Sequence, residues 1–315
     1  MLDLKRSSVR TETINARPQR LRLLPQQRRF LLFLYVLFLL CMQLFLILPS
    51  LYAERWTEGV TVIVAGTWIV ICSFISAVRL VLTNPTIKDL MHYSNPGQDW
   101  TYCTHCRKSR PPRTHHCHIC EACVIRRDHH CLFLGQCVGL ANWRFFLSLV
   151  FYGAVGLSLA SYLNLRFVFG HYFLPSDWSI LFRIVCIILP PGLLWIFGLV
   201  TLLQTAVFML SCTCFVFALV LSVTFIYCTK LMFHNETMSD RRGRGKSLAV
   251  NSNQSTSEEQ IALSDTTTNV YDLGLRENVK QFLGIWPLAL FLPFCDSPLT
   301  VDGLFFPHSN TAKFQ

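Results

Sequence analysis

Long uncharged apolar stretches alternate with short polar segments along this chain. Residues 30–53 contain no charged side chain, and neither do residues 59–78. A helix needs about 20 apolar residues to cross a hydrocarbon core about 30 Å thick. The pattern therefore predicts two membrane spans in the first third of the chain, which we place at residues 30–53 and 59–83.

Two further spans are predicted in the second half of the chain. Residues 145–165 are uncharged and predict the third. Residues 184–229 are too long for one ordinary span and contain a Pro-Pro-Gly break at 190–192. We place the fourth span at 204–229 and expect 184–203 to be a lumenal, interfacial or re-entrant segment. A fifth full span at 184–203 is the alternative.

Basic residues indicate which segments face the cytosol. The tail of residues 1–29 carries eight Lys and Arg against Asp3 and Glu12, whereas the connector 54–58 has one Arg between two Glu. The segments 84–144 and 230–315 also contain clusters of Lys and Arg. Because basic residues are retained on the cytosolic side, we expect all three large polar segments there. A fifth span would place the basic cluster at 241–246 on the opposite side.

The tail after the fourth span divides into two predicted parts. Residues 239–268 are rich in Ser, Thr and Asn and are expected to be a disordered linker. Residues 269–295 are expected to dock on the membrane, because their apolar run 284–295 is too short to span it.

Seven of the fourteen cysteines lie in the segment between the second and third spans, interleaved with histidines. Cys-x2-Cys pairs with trailing histidines are typical of zinc sites, and a reducing cytosol disfavours disulfides. Two tetrahedral zinc sites need eight ligands. Six cysteines and two histidines supply them: Cys103, Cys106, Cys117, Cys120, Cys123, Cys137, His116 and His130. This count leaves Cys131 outside the metal sites.

The remaining thiol follows an acidic residue and two histidines. Acyl transfer from a thioester needs a thiolate, a base near neutral pH and a carboxylate that orients the base. Asp128, His129 and Cys131 supply these three groups. Spacing alone leaves open the alternative that Cys131 is an ordinary zinc ligand and His129 a surface histidine.

The segment from Cys103 through Cys137 to Asn142 and Phe146 resembles the cysteine-rich domain of the DHHC protein S-acyltransferases. The resemblance implies an α-helical polytopic membrane enzyme with four spans and a cytosolic two-zinc domain between the second and third. It implies that a cysteine accepts a fatty acyl group, usually palmitoyl, from acyl-CoA. The acyl group then passes to a cysteine of a protein substrate by a ping-pong mechanism.

The resemblance also implies roles for individual residues. Cys131 would be the acylated nucleophile, His129 its base and Asp128 the orienting acid. Two structural zinc ions would be bound by interleaved sets: Cys103, Cys106, His116 and Cys123 for one, and Cys117, Cys120, His130 and Cys137 for the other.

Three elements outside the zinc segment bear on the resemblance. Residues 269–284 resemble the family's C-terminal element, in which Asn278 would support the active site. Residues 84–86 read Asn-Pro-Thr where Asp-Pro-Gly is frequent, and residues 235–237 read Asn-Glu-Thr near where Thr-Thr-x-Glu is usual. Only Pro85 and Glu236 would be retained, which leaves open how the zinc domain docks on the spans.

Candidate contacts to the donor are less specific. Arg110, Arg113 and His115 in the first zinc loop are candidates for the CoA phosphates, with lipid headgroups as the alternative partners. Gly153, Gly156 and Ala160 form a small-residue face on the third span. That face favours close helix packing, with room for an acyl chain as the alternative.

The partners follow from the same reasoning. We expect the lipid bilayer and protein substrates with membrane-proximal cysteines, at an endomembrane such as the Golgi or ER rather than the plasma membrane. The net charge of +10 with Cys/His pairs also suggests a nucleic-acid-binding zinc finger, but a domain tethered between spans argues against nucleic acid. A catalytically inert zinc scaffold or regulatory partner is the remaining alternative.

Overall fold

The structure, a computed structural model, describes residues 25–87, 99–171, 179–180, 189, 191–251 and 269–309. Most of the predicted tail 1–29 lies outside these ranges, as do residues 252–268 of the predicted linker. The described residues form a bundle of long apolar helices and a small cysteine-rich unit, with a tail that packs on both.

Four helical segments are long and apolar enough to cross a membrane. The first consists of α1 (Pro25–Met42), a π-helical turn (Gln43–Ile47) and α2 (Leu48–Tyr52), and it is followed by α3 (Trp56–Leu82). The later helices are α4 (Trp143–His171), the short α5 (Pro191–Ile196) and α6 (Leu202–Phe233). The four spans expected from the sequence are confirmed as candidate membrane helices.

The predicted break at 190–192 coincides with the start of α5. Proline is favoured at the first position of a helix because its missing N–H would have no partner there. Residues 184–188 and 190 lie outside the described residues. The continuous described part of this segment before α6, residues 191–201, forms only one six-residue helix and turns. It therefore contributes no fifth candidate span.

Helix α4 lies between α3 and α6. A Cβ atom added to Gly153 would lie 2.9 Å from Leu221 on α6, and one added to Gly156 would lie 3.0 Å from Ile69 on α3. The two glycines thus face different neighbours. They allow close helix packing, as the first of the two sequence interpretations expects.

The cysteine-rich unit consists of three antiparallel hairpins within the described residues. The strand pairs are β1 (Thr101–Cys103) with β2 (Lys108–Arg110), β3 (His115–Cys117) with β4 (Ala122–Val124), and β5 (His129–Cys131) with β6 (Gln136–Val138). In the register, His116 pairs with Cys123 and His130 pairs with Cys137. Each pair therefore brings one imidazole and one thiol together.

The last hairpin is attached directly to the ends of the spans. Gln136 donates from Nε2 to the carbonyl oxygen of Leu80 in the last turn of α3. Asn142, just before α4, is fully buried, and its side chain accepts from the backbone N–H of Gly139 at 2.9 Å and donates to the carbonyl of Cys137 at 3.1 Å. The hairpin that carries Cys131 is thus fixed at the end of the helix bundle.

The tail after α6 is more ordered than the sequence suggests. Helix α7 (Met238–Asn251) occupies the first part of the predicted disordered linker, so that expectation is wrong for these residues. Thr237 and Asp240 form a capping box at the start of this helix. The sequence analysis relied on composition, which does not reveal such a helix start. Helix α8 (Leu275–Leu283) follows further along and packs Phe282 on Trp143, with ring centroids 4.4 Å apart.

The segment after α8 lies along two of the spans. The hydroxyl of Tyr152 on α4 donates to the carbonyl of Phe291 at 2.6 Å, and Phe294 packs edge-on against Trp68 of α3. Trp286 and Leu288 in the same segment are mostly exposed. The segment therefore contacts two spans on one side and presents exposed apolar side chains on the other; docking of residues 269–295 on the membrane stays a prediction.

We expect Gly153→Leu to lower the stability of the bundle. A leucine there must displace Leu221, and overpacking of this kind costs about 1–3 kcal/mol. Gly66→Leu on α3 is the matched control, because nothing lies within 4 Å of a Cβ at Gly66. The measurement is the thermal unfolding midpoint in detergent micelles. Equal midpoints for the two variants would contradict the packing described here.

Candidate active site and metal cages

The first cage gathers one ligand set around a common centre. The ligand atoms of Cys103, Cys106, His116 and Cys123 all lie within 4.8 Å of one another. Cys106 Sγ is 3.2 Å from His116 Nδ1 and 3.6 Å from Cys123 Sγ. Zinc–sulfur bonds of about 2.3 Å in a tetrahedron place two sulfurs roughly 3.8 Å apart. The set is therefore of the right size to hold zinc.

The second cage has the same composition of three thiols and one imidazole. Its ligand atoms, on Cys117, Cys120, His130 and Cys137, also lie within 4.8 Å of one another. Cys120 Sγ is 3.3 Å from His130 Nδ1 and 3.8 Å from Cys137 Sγ. The two sets are those that the resemblance implies, and all of these cysteines are free thiols.

A further group of three histidines touches the first cage. The ring of His105 stacks on that of His116 with a 20° angle between planes and centroids 4.8 Å apart. Nitrogen lone pairs lie in the ring plane, so two stacked rings do not direct them at one point. His105 and His118 are exposed and pack against the His116 ring of the first cage.

Strand alternation separates Cys131 from the metal. Successive side chains of a strand point to opposite faces. In β5, His130 faces the second cage across from Cys137. His129 and Cys131 therefore share the other face, and Cys131 belongs to neither ligand set.

On that other face the three residues predicted from the Asp-His-His-Cys sequence interact in series. Asp128 Oδ2 lies 2.8 Å from His129 Nδ1, and His129 interacts in turn with Cys131, two residues further along the same strand face. Asp128 and Cys131 are both buried, and the His129 ring packs edge-on against Phe146 of α4. The arrangement is a carboxylate, an imidazole and a thiol in the order that nucleophilic catalysis requires.

The contacts favour the charged forms of both the imidazole and the thiol. Burial alone would lower the pKa of His129, but its hydrogen bonds to Asp128 and Cys131 outweigh burial and raise that pKa to about 9. Burial alone would raise the pKa of Cys131. Its hydrogen bonds with His129 and with the backbone N–H groups of Leu134 and Phe133 more than offset this, so the pKa of the thiol is lowered. A thiolate is the reactive form of cysteine.

Cys131 also lies at the edge of an apolar cluster that continues into the spans. The cluster joins the last hairpin to the adjacent ends of α3, α4 and α6 and to α8. It includes Cys228, which is buried among apolar side chains as expected for a packing residue. Next to Cys131, Leu132 and Phe133 at the hairpin tip are mostly exposed. The thiol therefore lies between an apolar interior and an open apolar rim.

Comparison with known proteins agrees with this geometry. A family model described as DHHC palmitoyltransferase matches residues 97–243. "Probable palmitoyltransferase ZDHHC24" of Rattus norvegicus is 32% identical over 226 residues, which cover 71% of this chain and 70% of the relative. The chain belongs to the DHHC palmitoyltransferase family.

Other members of the DHHC family show how the similarity is distributed. The Homo sapiens protein of the same name is 32% identical over 231 residues, covering 71% of this chain and 70% of the relative. "Probable protein S-acyltransferase 12" of Arabidopsis thaliana is 49% identical, but only over 51 residues, or 16% of this chain and 18% of the relative. High identity is thus confined to a short segment, whereas similarity to the first relative extends over most of the chain.

The element after the fourth span contacts Asp128 through Met238 and Ser239, two residues that the sequence analysis did not single out. The backbone N–H of Met238 donates to Asp128 Oδ1 at 2.9 Å, and the Ser239 hydroxyl donates to the Asp128 carbonyl at 2.9 Å. The element thus binds the second carboxylate oxygen, which His129 leaves free. A backbone donor has no sequence signature, so sequence analysis missed this contact.

Asp240 is the acidic residue of this element that pairs with the zinc domain. Thr237 and Asp240 have the Thr-x-x-acid spacing of Thr-Thr-x-Glu, and Asp240 pairs with Arg113 of the first zinc loop, Oδ2 to Nη2, at 2.7 Å. Glu236 instead pairs with Arg241 and Arg244 of α7. The zinc domain therefore contacts the element after α6 as well as the end of α3.

The candidate CoA residues lie in different environments. Arg113 is buried and its guanidinium is engaged by Asp240 and Asn235, so it is not available to a phosphate, which corrects that prediction. Arg110 donates to Thr101 at 2.7 Å and is partly exposed. His115 has a half-open side chain 4.0 Å from Asp240. Arg110 and His115 alone keep surface for a ligand.

Asn278, which the resemblance implies supports the active site, joins helix α8 to the end of α6. It is fully buried, donates to the carbonyl of Phe233 at the end of α6 and to Asp272, and accepts from the N–H of Leu273. A second support comes from Arg126, two residues before Asp128, whose Cζ lies 3.6 Å from the centroid of the Phe282 ring. The Arg126 contact ties the tail to the segment just before Asp128.

We expect metal content to distinguish the cages from Cys131. Cys131→Ser should retain two zinc ions per chain, because that sulfur lies outside both ligand sets. Cys137→Ser should lose one, because a three-ligand structural site binds zinc weakly. The measurement is zinc per chain by elemental analysis of protein purified without added metal. Loss of zinc from Cys131→Ser would show that the thiol is a ligand.

Proposed function

We propose that this protein is a membrane protein S-acyltransferase in which Cys131 carries a fatty acyl group from acyl-CoA to cysteines of protein substrates. The observation that carries the proposal is a thiol outside both ligand sets, on the same strand face as an imidazole whose Nδ1 lies 2.8 Å from the Asp128 carboxylate. The family relationship supports the same reaction. Palmitoyl is the proposed acyl group.

In the first half-reaction the Cys131 thiolate attacks the carbonyl carbon of the acyl-CoA thioester. A new carbon–sulfur bond forms to Cys131 as the bond to the CoA sulfur breaks. His129, having accepted the thiol proton, returns it to the departing CoA thiolate. Asp128 holds the imidazole with Nδ1 towards itself and stabilises the cation, which leaves the other ring nitrogen for the sulfur.

In the second half-reaction a substrate cysteine takes the place of CoA. His129 accepts its proton, the substrate sulfur attacks the acyl carbon, and the Cys131 thiolate leaves. Each half-reaction breaks one thioester and forms another, so no other reactant is needed. Because the acyl group rests on the enzyme between the two, the mechanism is ping-pong.

The zinc ions in this proposal are structural. The eight ligands bind two ions, which hold the three hairpins together and give β5 a fixed orientation. His130 anchors the strand from within, and its neighbours on either side face the substrate. Removal of either metal is therefore expected to abolish acyl transfer, because the strand that carries Cys131 would lose its orientation. Neither zinc ion acts on the thioester in this proposal.

The location of the thiol suits a donor with a long chain. Burial of about 16 methylenes at roughly 0.8 kcal/mol each contributes more than 10 kcal/mol, which the bilayer and the span interior share. The CoA headgroup would then lie on the cytosolic surface, where Arg110 and His115 keep open surface. Both termini are cytosolic in this proposal, and an endomembrane such as the Golgi or ER is the proposed location.

We expect acyl labelling to depend on Cys131. Purified protein incubated with alkyne-tagged palmitoyl-CoA should gain a hydroxylamine-labile label that is absent in Cys131→Ser. Cys295→Ser removes an exposed cysteine that lies outside both cages and should label normally. His129→Gln should slow labelling by about 100-fold or more, since a positioned base contributes 10²–10⁴.

The labelling result also separates the enzyme from an inert scaffold. A scaffold or regulatory partner would show no label on the wild type. Label that persists in Cys131→Ser would place the acyl group on another cysteine and contradict the proposed site.

We expect Asn253 to remain unglycosylated, because a cytosolic tail does not meet the glycosylation machinery. The acceptor sequence at Asn235 is uninformative, since its side chain is fully buried between Arg113 and Gln281 and would remain bare on either side of the membrane. The measurement is the electrophoretic mobility of the protein before and after glycosidase treatment. A glycan on Asn253 would place the tail in the lumen.

A further inference from the structure

Arg113 is a buried cation in the first zinc loop with an unusually complete set of partners. Its guanidinium donates to Asp240 Oδ2 from Nη2 at 2.7 Å and from Nε at 3.1 Å. It also donates to Asn235, to Oδ1 at 2.9 Å and to the backbone carbonyl at 2.8 Å. Its Cζ lies 4.6 Å from the Tyr271 ring centroid and 5.2 Å from that of Phe306.

Asp240 uses the same carboxylate oxygen to cap helix α7. Oδ2 accepts the backbone N–H of Thr237 at 3.1 Å, while the Thr237 hydroxyl accepts the backbone N–H of Asp240 at 3.1 Å. These two bonds form a reciprocal capping box, which fixes the direction of the first helical turn. Burial alone would raise the pKa of Asp240, but the Arg113 charge outweighs it and holds that pKa well below its ordinary value.

Met238, the residue after Thr237, connects the first turn of α7 to the active site. Met238 N–H donates to Asp128 Oδ1 at 2.9 Å, and the other carboxylate oxygen is bonded to His129 at 2.8 Å. The Ser239 hydroxyl adds a bond to the Asp128 carbonyl at 2.9 Å. Asp128 is therefore held between His129 and the first turn of α7.

We propose that the Arg113–Asp240 ion pair is a positioning device for catalysis, which sets the first turn of α7 and thereby the orientation of Asp128 towards His129. The inference rests on the roles proposed above for Asp128 and His129. Arg113 touches neither substrate nor nucleophile and acts only through Asp240, Thr237 and Met238. The first zinc loop would in this way control the reactivity of a thiol beside the second cage.

Charge and direction both matter for this device. A neutral side chain at 240 can still accept the Thr237 N–H, but it leaves the Arg113 charge unpaired in a buried site. The first turn of α7 would then shift to let that charge find another partner. A displacement of about 1 Å in a supporting group can lower a rate by about 100-fold.

The test compares substitutions that keep or remove the charge. Asp240→Asn keeps the shape and removes the charge, and Asp240→Glu keeps the charge and matches the preferred acid of a capping box. Lys108→Gln is the matched control, because it removes an exposed charge from the same zinc loop. Each variant is assayed as the full-length protein for zinc per chain and for the rate and KM of Cys131 labelling by tagged palmitoyl-CoA.

We expect Asp240→Asn to lower the maximal labelling rate by about 10- to 100-fold, with KM within twofold and two zinc ions retained. Asp240→Glu should restore most of the rate, and Lys108→Gln should behave as wild type. A wild-type rate in Asp240→Asn, or a raised KM at unchanged rate, would overturn the inference. If Asp128→Ala also retained full rate, the proposed function of Asp128 would fail instead.

A second substitution keeps the test decisive if Asp240→Asn does not fold. Thr237→Ala removes the capping hydroxyl and leaves the ion pair in place. We expect it to lower the rate at unchanged KM, which is measurable whether or not Asp240→Asn folds. Where Asp240→Asn does fold, Thr237→Ala should add little to it in the double variant, because both act on the same turn. A wild-type rate in Thr237→Ala, or full additivity in the double variant, would contradict the proposed path.

Discussion

The alternation of side chains along one short strand is the constraint on which this site depends. In β5, His130 faces a metal cage, so its two neighbours must face the opposite side. His130 thus anchors the strand to the cage, while His129 and Cys131 supply the base and the nucleophile. A shift of the register by one residue would bury Cys131 in the cage and turn His130 to the substrate.

The metal cages explain how so small a unit can hold a reactive group in place. Isolated two-stranded hairpins are marginally stable in water, and three-residue strands bury little apolar surface. Zinc bound in the two cages would replace the missing core, since the free energy of metal binding becomes folding free energy. The remaining order comes from the spans and the tail: Asn142 and Gln136 join the last hairpin to the spans, and α7 and α8 close over it.

Local signals made much of this predictable from sequence. Apolar length predicted the spans, and ligand counting left one cysteine over. The third span was placed too short because Arg166 ends the uncharged run, whereas α4 continues to His171 with the Arg166 side chain near the Tyr52 ring. The contacts that orient Asp128 were not predictable, because they use a backbone N–H that lies 110 positions away along the chain. Arg113 was misassigned because a charge pattern does not reveal a buried partner.

The account's central claim is that one sulfur carries the acyl group while both metal cages stay intact. Native mass spectrometry of the purified protein after brief incubation with palmitoyl-CoA, followed by peptide mapping, tests it most directly. We predict one species with two zinc ions and a single thioester-linked acyl group on the peptide containing Cys131. An acylated species that has lost a zinc ion, or an acyl group on one of the eight cage residues, would contradict it.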